Sequence, residues 1–192
     1  MSVKCLIYCT RGKLLERHWK KIDGIGKFIL YHHSDKVKYC DINSPHRLNG
    51  KIVAEFDCEK VEEIRMLQDN NMTYETKTLI EEQLLIKSRL EGYQLGNYLG
   101  LLYENECGYA LHLSNIKVFD KPLSFKTDYI YKDYKTNAIL TKAPQNMCNV
   151  YDRFGNHYVL ISIRPEYVAK ILNGEKTIEV RRKILNCLKD LI

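Results

Sequence analysis

Three charged side chains stand close together in one short segment, Gly174-Glu-Lys-Thr-Ile-Glu-Val-Arg181. The segment has the pattern of a β-strand, in which alternate side chains share a face, so Glu179 and Arg181 are expected side by side. Lys176 and Arg181 could hold a phosphate, Arg with bidentate geometry, and Glu179 could accept from a base amino group or act as a general base. The same spacing also fits a solvent-exposed ladder of ion pairs, which would contribute little.

Further residues are candidates for binding the same ligand. Arg164 directly precedes a predicted helix, where its charge and the helix N-terminus both favour an anion. The other candidates are two cations on a turn after the first strand, two residues flanking a proline, and two residues of the charged segment: Arg11, Lys13, Lys142, Gln145, Gly174 and Thr177. A basic turn without a binding role is the alternative for Arg11 and Lys13, and a structural role is the alternative for Gln145.

A strand–helix–strand pattern surrounds the charged segment. HYVLISI at 157–163 predicts a strand, and Pro165 suits the first turn of a helix over about 166–172. Asn173-Gly174 predicts a left-handed end to that helix. The segment that follows then resumes as a strand, with Ile178 on the face opposite to Glu179.

The rest of the chain mixes strand and helix signals. Further strands are predicted at 3–9, 51–58 and 109–119 from their β-branched, aromatic and alternating residues. Residues 14–50 are basic and are predicted to be irregular, apart from a short strand at 28–33. Residues 60–67 are predicted to form a short helix. A longer helical region is predicted over about 73–105, with Thr73 as its N-cap.

Composition indicates a soluble cytoplasmic protein with a basic character. The 192 residues carry a formal net charge of +6, and no apolar run approaches the roughly 20 residues that span a bilayer, so no membrane partner is expected. Residues 1–50 hold ten Lys/Arg against four Asp/Glu, and residues 157–192 hold seven against four. If these two regions meet in the fold, they form a positive surface suited to a polyanion.

No cofactor or metal is predicted. The seven cysteines form no C-x-x-C pair, so we expect reduced, mostly packed thiols rather than a zinc site. The chain contains neither a glycine-rich dinucleotide loop nor a P-loop.

The charged segment matches the pattern G-x-K-x-x-E-x-R and resembles the ASCH domain family of the PUA-like superfamily. The preceding ISIRPEYVAKIL resembles that family's first strand and helix. Four other segments resemble later parts of the family: LIYCTRGK (6–13), GKIVAEF (50–56), YALHLSNIKVFDKPL (109–123) and LTKAPQNM (140–147). The family's first unit, here 157–182, follows the others, so the order of segments resembles a circular permutation of the family's order. The chain resembles members of the phage or mobile-element type.

The resemblance implies an α+β fold, namely a small curved PUA-like β-barrel with flanking helices. The whole chain, 1–192, would be one such domain with a helical insertion at about 60–106. The unit 157–182 would pack beside residues 3–58 of the same chain. The alternatives are that 157–192 is exchanged between the two chains of a homodimer, or that it is a truncated second copy.

Three functions follow from the resemblance and the residues. The first is binding of RNA or a nucleotide, including a modified base, in a cleft formed by 161–182 and 3–13. The second is a hydrolase acting on RNA or a modified nucleoside, with Lys176 and Glu179 as acid–base residues. Where the family's amidohydrolases have a catalytic Thr, this chain has Glu179, which argues against direct transfer of that activity. The third is a phage-type regulator that uses the barrel to bind a host protein, an alternative that the acidic helical insertion keeps open.

Overall fold

The computed structural model describes residues 2–10, 50–67, 73–100, 106–123, 138 and 146–192, and elsewhere only the backbone of five strands. The strands are β1 (Val3–Cys9), β2 (Glu16–Lys21), β3 (Phe28–His33), β4 (Lys36–Asp41), β5 (Ser44–Pro45), β6 (Lys51–Met66), β7 (Tyr74–Glu75), β8 (Gly108–Leu123), β9 (Lys132–Asp133), β10 (Met147–Tyr151), β11 (His157–Ile163) and β12 (Ile178–Arg181). The helices are α1 (Glu81–Ser88), α2 (Gly92–Leu99), α3 (Pro165–Leu172) and α4 (Asn186–Lys189).

This composition of elements confirms the predicted α+β class. The strands include both parallel and antiparallel neighbours, and the described helices are short. The chain folds as two compact units, each assembled from separate stretches of sequence. Unit 1 comprises Met1–Val3, Cys58–Ser114 and Glu175–Ile192, and unit 2 comprises Lys4–Asp57 and Asn115–Gly174.

Unit 1 contains a sheet in the order β12, β8, β6 and β7, to which β8 and β6 contribute residues 108–114 and 58–66. Strand β12 is antiparallel to β8, with Ile178 opposite His112 and Val180 opposite Ala110. These residues share one face of the sheet because paired positions point the same way. Helices α1 and α2 supply the other half of a core that consists of Ile64, Tyr74, Leu79, Leu84, Leu95, Leu99, Ala110, Ile178 and Val180.

The two helices of unit 1 begin and end through different local contacts. Helix α1 carries Glu81 and Glu82 in its first turn, where carboxylates favour the positive end of the helix dipole. Helix α2 begins with a capping box, in which Glu91 and Gln94 satisfy each other's backbone amides. The predicted N-cap Thr73 is wrong: Ile80 occupies that position in α1, and the carbonyl of Thr73 instead accepts from the amide of Leu67.

Unit 2 is built on parallel pairing between β1 and β11, with Cys5 opposite Val159 and Cys9 opposite Ile163. Strand β10 is antiparallel to β11, β9 is antiparallel to β10, and residues 51–57 of β6 lie on the other side of β1. Leu6, Ile52, Val150 and Leu160 form one buried cluster of this unit. A second, four-stranded antiparallel sheet has the order β2, β3, β4 and β5.

Several predicted elements are confirmed by the structure. Strands β1, β3 and β11 have the predicted bounds, and α3 begins at Pro165, one residue before the predicted start. Gly174 has a φ of 74°, which confirms the left-handed position after α3. No helix among the described residues has the length and apolar character that a membrane crossing requires.

Two predicted elements are wrong. Residues 60–67 continue strand β6 to Met66 instead of forming a helix, because pairing with β7 and β8 outweighs the helix propensity of their Glu, Lys and Arg side chains. The prediction of an irregular region over 14–50 is also wrong, because the described residues there form β2 to β5, in which neighbouring strands pair along the sequence. The helical region at 73–105 contains α1 and α2 but begins with strand β7.

Two glycines of unit 1 give a matched test of its packing. A Cβ at Gly108 would approach Leu99 Cδ2 to 2.6 Å, and Leu99 is fully buried. Gly108→Ala is therefore expected to lower the free energy of unfolding by about 1–3 kcal/mol. A Cβ at Gly96, inside α2, meets nothing closer than 3.8 Å, so Gly96→Ala is expected to raise it by about 0.5–1 kcal/mol. Urea denaturation measures both free energies of unfolding. A Gly108→Ala variant more stable than Gly96→Ala would contradict this account of the core.

Candidate functional site

The start of the charged segment is fixed to the C-terminal end of helix α1. The amide of Thr177 donates to the carbonyl of Lys87 at 2.9 Å, and the Arg89 guanidinium donates to the carbonyl of Glu175 at 2.9 Å. On the other side, the amide of Leu113 donates to the carbonyl of Thr177 at 3.0 Å and thereby extends the pairing of β8 with β12. The backbone of residues 175–177 is therefore held between a helix end and a strand.

Lys176 places its ammonium group inside unit 1. Its side chain is only 2% exposed, and Nζ donates to the carbonyl of Ser88 at 2.7 Å and lies 3.2 Å from Oε2 of Glu179. The last carbonyls of a helix have no partner within the helix and form the negative end of its dipole. Lys176 satisfies one of them with a cation, so it acts as a C-terminal cap of α1.

Glu179 joins the two cations of the segment. Its Oε2 contacts Lys176, and its Oε1 lies 2.9 Å from the Arg181 guanidinium. The side chains of Glu179 and Arg181 are 9% and 7% exposed. In the register of β12 with β8 they stand opposite Leu111 and Tyr109. Burial excludes the solvent-exposed ladder that the spacing alone would also allow.

The other predicted binding residues are distributed over both units. Thr177 belongs to unit 1 and is exposed. Arg164 and Gly174 belong to unit 2, where Arg164 is an exposed residue at the N-cap of α3 and Gly174 follows its C-terminal end. Arg11, Lys13, Lys142 and Gln145 lie outside the described residues. The assignment of all these residues, and of Lys176 and Glu179 as catalytic groups, stays a prediction.

Unit 1 also contains a polar cluster that was not predicted from the sequence. Its centre is Glu62 on β6, whose side chain is 4% exposed. Oε1 of Glu62 accepts from the Thr78 hydroxyl at 2.6 Å, the Thr78 amide at 3.2 Å and the Thr76 hydroxyl at 3.2 Å. Oε2 lies 2.7 Å from Nε2 of His112 and 3.2 Å from Nζ of Lys60. This carboxylate therefore links two strands to the segment that precedes α1.

The donors explain the acidity of Glu62. Burial alone would raise the pKa of the carboxyl group, but the hydrogen bonds from Thr78, His112 and Lys60 outweigh burial and lower the pKa to about 2. The carboxylate is therefore ionised and can only accept hydrogen bonds. His112 must then donate from Nε2, so its neutral form carries the proton there and leaves Nδ1 as an acceptor.

His112 and Lys60 keep part of their surface in solvent. The side chain of His112 is 27% exposed and that of Lys60 is 46% exposed. The Glu62 carboxylate thus orients an accessible imidazole, and the ammonium group of Lys60 lies against the same carboxylate oxygen. In such an arrangement the imidazole can accept a proton beside an anionic ligand. No group of His, Cys, Asp and Glu within the described ranges is arranged to hold a metal ion.

The sequence offered one signal for this cluster. Glu62 lies on the same face of β6 as Ile64, and a carboxylate on the apolar face of a strand requires partners. The incorrect prediction of a helix over 60–67 hid this shared face.

Comparison with known proteins adds no identification, since no protein-family model, no curated protein and no solved structure matches the chain.

The lowered pKa of Glu62 predicts a specific loss of stability in acid. A folded-state pKa of about 2, against 4.5 for an unperturbed Glu, stabilises the folded state above pH 4.5, and this contribution disappears as the pH falls towards 2. Its size is roughly 3 kcal/mol. Glu62→Gln removes it, so the stability difference between wild type and variant should shrink as the pH is lowered. Urea denaturation between pH 2.5 and 7 measures this difference.

Glu63→Gln is the matched control for that experiment. Glu63 is the next residue of β6, and its partner Arg65 is largely exposed. An exposed ion pair contributes only about 0–1 kcal/mol, so this variant should retain the pH dependence of the wild type. A stability difference for Glu62→Gln that does not vary with pH would contradict the proposed role of the carboxylate.

Proposed function

We propose that this protein binds RNA or a nucleotide as a permuted ASCH-type member of the PUA-like superfamily. The observation that carries the proposal is the buried network of Lys176, Glu179 and Arg181, the three charged residues of the G-x-K-x-x-E-x-R pattern. Burying an ionised side chain costs several kcal/mol even after relaxation. A motif that keeps three such side chains in fixed geometry holds the backbone of residues 176–181 in place, and its exposed Thr177 can then contact a ligand.

The network supports binding of an anionic ligand by fixing the segment around it. One carboxylate holds two buried cations in place, so the backbone at the exposed Thr177 is set before a ligand arrives, and less conformational freedom is lost on binding. The exposed Arg164 has a guanidinium group, which matches a phosphate with two parallel hydrogen bonds. The chain's net charge of +6 adds a favourable long-range field for nucleic acid.

The finer fold assignment belongs to the same proposal. The α+β class, a mixed sheet and the succession β11, α3 and β12 support a PUA-like barrel whose first unit stands at 157–182. Strand β11 pairs with β1 of the same chain, which is the neighbour that a permuted order requires. Ligand contacts by the exposed Arg164 and Thr177 are part of this proposal.

A hydrolase is the second candidate function, and the pair of Glu62 and His112 favours it. Oε2 of Glu62 fixes the imidazole by accepting from Nε2 of His112 at 2.7 Å, so Nδ1 can take a proton from an attacking water or hydroxyl group. The ammonium group of Lys60 would stabilise negative charge on the substrate. In this candidate function His112 is the general base and Glu62 is a positioning residue.

Binding is tested with the exposed Arg164 and the buried Lys176. Wild-type affinity for an RNA pool should fall steeply with salt, because phosphate contacts release counterions. Arg164→Gln should weaken binding and reduce the slope of log K against log salt by about 1. Lys176→Met, which keeps the aliphatic stem, should reduce affinity at least tenfold. Filter binding between 25 and 200 mM salt measures all three.

Lys117→Gln is the control for charge, since Lys117 is exposed in unit 2 and lies outside the G-x-K-x-x-E-x-R pattern. It should leave the salt slope closer to that of the wild type than Arg164→Gln does. Circular dichroism verifies that Lys176→Met folds, and Arg164→Gln keeps the test decisive if it does not. Absence of binding by the wild type, or equal effects of Arg164→Gln and Lys117→Gln, would refute the proposal.

The hydrolase is tested with RNA and with acylated nucleosides, whose products are separated after incubation with the protein. His112→Asn should lower turnover by about 10²–10⁴, the usual contribution of a general base. Glu62→Gln should lower turnover and also change its pH profile, because the imidazole loses its fixed orientation. His157→Asn removes a histidine of unit 2 as a control. Failure of the wild type to convert either substrate, or full activity of His112→Asn, excludes this candidate.

A further inference from the structure

The turn between β10 and β11, residues 152–156, is fixed by its own hydrogen bonds. The carboxylate of Asp152 accepts from the amides of Phe154 and Asn156 at 2.8 and 2.9 Å and from the Asn156 side chain at 2.8 Å. The backbone adds bonds from the Asp152 amide to the Asn156 carbonyl and from the Gly155 amide to the Asp152 carbonyl. Gly155 provides the positive φ of 84° that this path needs.

This fixed turn holds an aromatic ring in solvent. Phe154 is 71% exposed, although a Phe ring usually stabilises the folded state by being buried away from water. The Arg153 guanidinium carbon lies 4.6 Å from the centre of the ring, within the range of a cation–π contact. At the base of the turn, the rings of Tyr151 and His157 stand 5.5 Å apart. A flat apolar face and a cation are thus presented together on a rigid support.

The chemistry of this pair selects one kind of ligand. A ring face attracts another flat π system, and an adjacent guanidinium attracts an anion, so the natural occupant is a base with its neighbouring phosphate. Bases of a duplex are stacked on each other and offer no free face, whereas unpaired bases do. The rigid turn also lowers the loss of conformational freedom on binding.

We infer that Phe154 and Arg153 form a stacking site for an unpaired base of a single-stranded nucleic acid. This inference rests on the proposed binding of RNA and specifies the strandedness of that ligand. Neither the G-x-K-x-x-E-x-R pattern nor the family resemblance selects these two residues. The site makes contact with base faces rather than base edges, so it tolerates different sequences.

The test compares three RNA probes of equal length: a single strand, its duplex, and a single strand with abasic positions throughout. Phe154→Ala should lower affinity for the single strand roughly five- to 150-fold, the range for loss of one stacked base. It should change affinity for the duplex and for the abasic strand less than twofold. Phe154→Tyr keeps a ring and should bind the single strand within about threefold of the wild type.

The matched control is Tyr93→Ala, which removes a 65% exposed aromatic side chain from α2 in unit 1. It should leave all three affinities unchanged. Arg153→Gln should weaken binding of the single strand and reduce its salt slope by about 1. Because Phe154 and Tyr93 are exposed, melting temperatures should stay close to that of the wild type and exclude misfolding as a cause.

The outcomes separate this inference from the function on which it rests. If the wild type binds the single strand and Phe154→Ala has no effect on that affinity, the stacking site is overturned and the proposed RNA binding stands. The exposed ring would then be available to contact another protein. An equal loss for single-stranded and abasic probes also overturns it, because the ring would not be contacting bases. Failure of the wild type to bind any probe overturns both proposals.

Discussion

The buried ammonium group of Lys176 is the interaction on which unit 1 depends. An ammonium group removed from water must be surrounded by acceptors, and here they come from two distant stretches of sequence: the Ser88 carbonyl at the end of α1 and the Glu179 carboxylate on β12. Neither acceptor alone would offset the loss of hydration. The end of the helix and the strand must therefore be in place together, which couples the packing of α1 to the pairing of β12 with β8. The main-chain bonds of Glu175 and Thr177 to Arg89 and Lys87 strengthen the same junction.

Unit 1 contains two buried carboxylates that are paired with several donors, and the two have different consequences. Glu179 and Glu62 are both buried carboxylates on strands. Glu179 binds two cations of its own segment, whereas Glu62 binds donors from β6, β8 and the segment before α1. The donors of Glu179 are themselves buried, so that network fixes geometry. Two donors of Glu62, His112 and Lys60, remain partly in solvent, so that cluster fixes geometry and also presents an imidazole. The two carboxylates show how one requirement, satisfying a buried charge, can produce either a rigid support or an accessible reactive group.

The sequence predicted elements well where one local signal dominated. The apolar runs of β1 and β11 and the Pro165 and Gly174 boundaries of α3 each specify a structure without help from the rest of the chain. Prediction failed at 60–67, where Glu, Lys and Arg favour a helix locally and only pairing with distant strands makes a β-strand. That error also concealed Glu62. The cluster joins residues about 16 and 50 positions away from Glu62, and such separations leave no spacing pattern in a single sequence. Burial of Lys176 was equally invisible, since one of its two acceptors is the main-chain carbonyl of the distant Ser88, a group that every residue possesses.

Strand β1 lies between β6 and β11, and this position has a consequence for synthesis of the chain. Its parallel partner β11 leaves the ribosome about 150 residues after β1, so for most of translation β1 can pair on one side at most. During that interval an apolar strand, VKCLIYC, offers an open row of amides and carbonyls that another nascent chain could extend. Parallel pairing over such a separation is also slow to form. Expression at low temperature or with holding chaperones should therefore affect the yield of this protein more than its final stability.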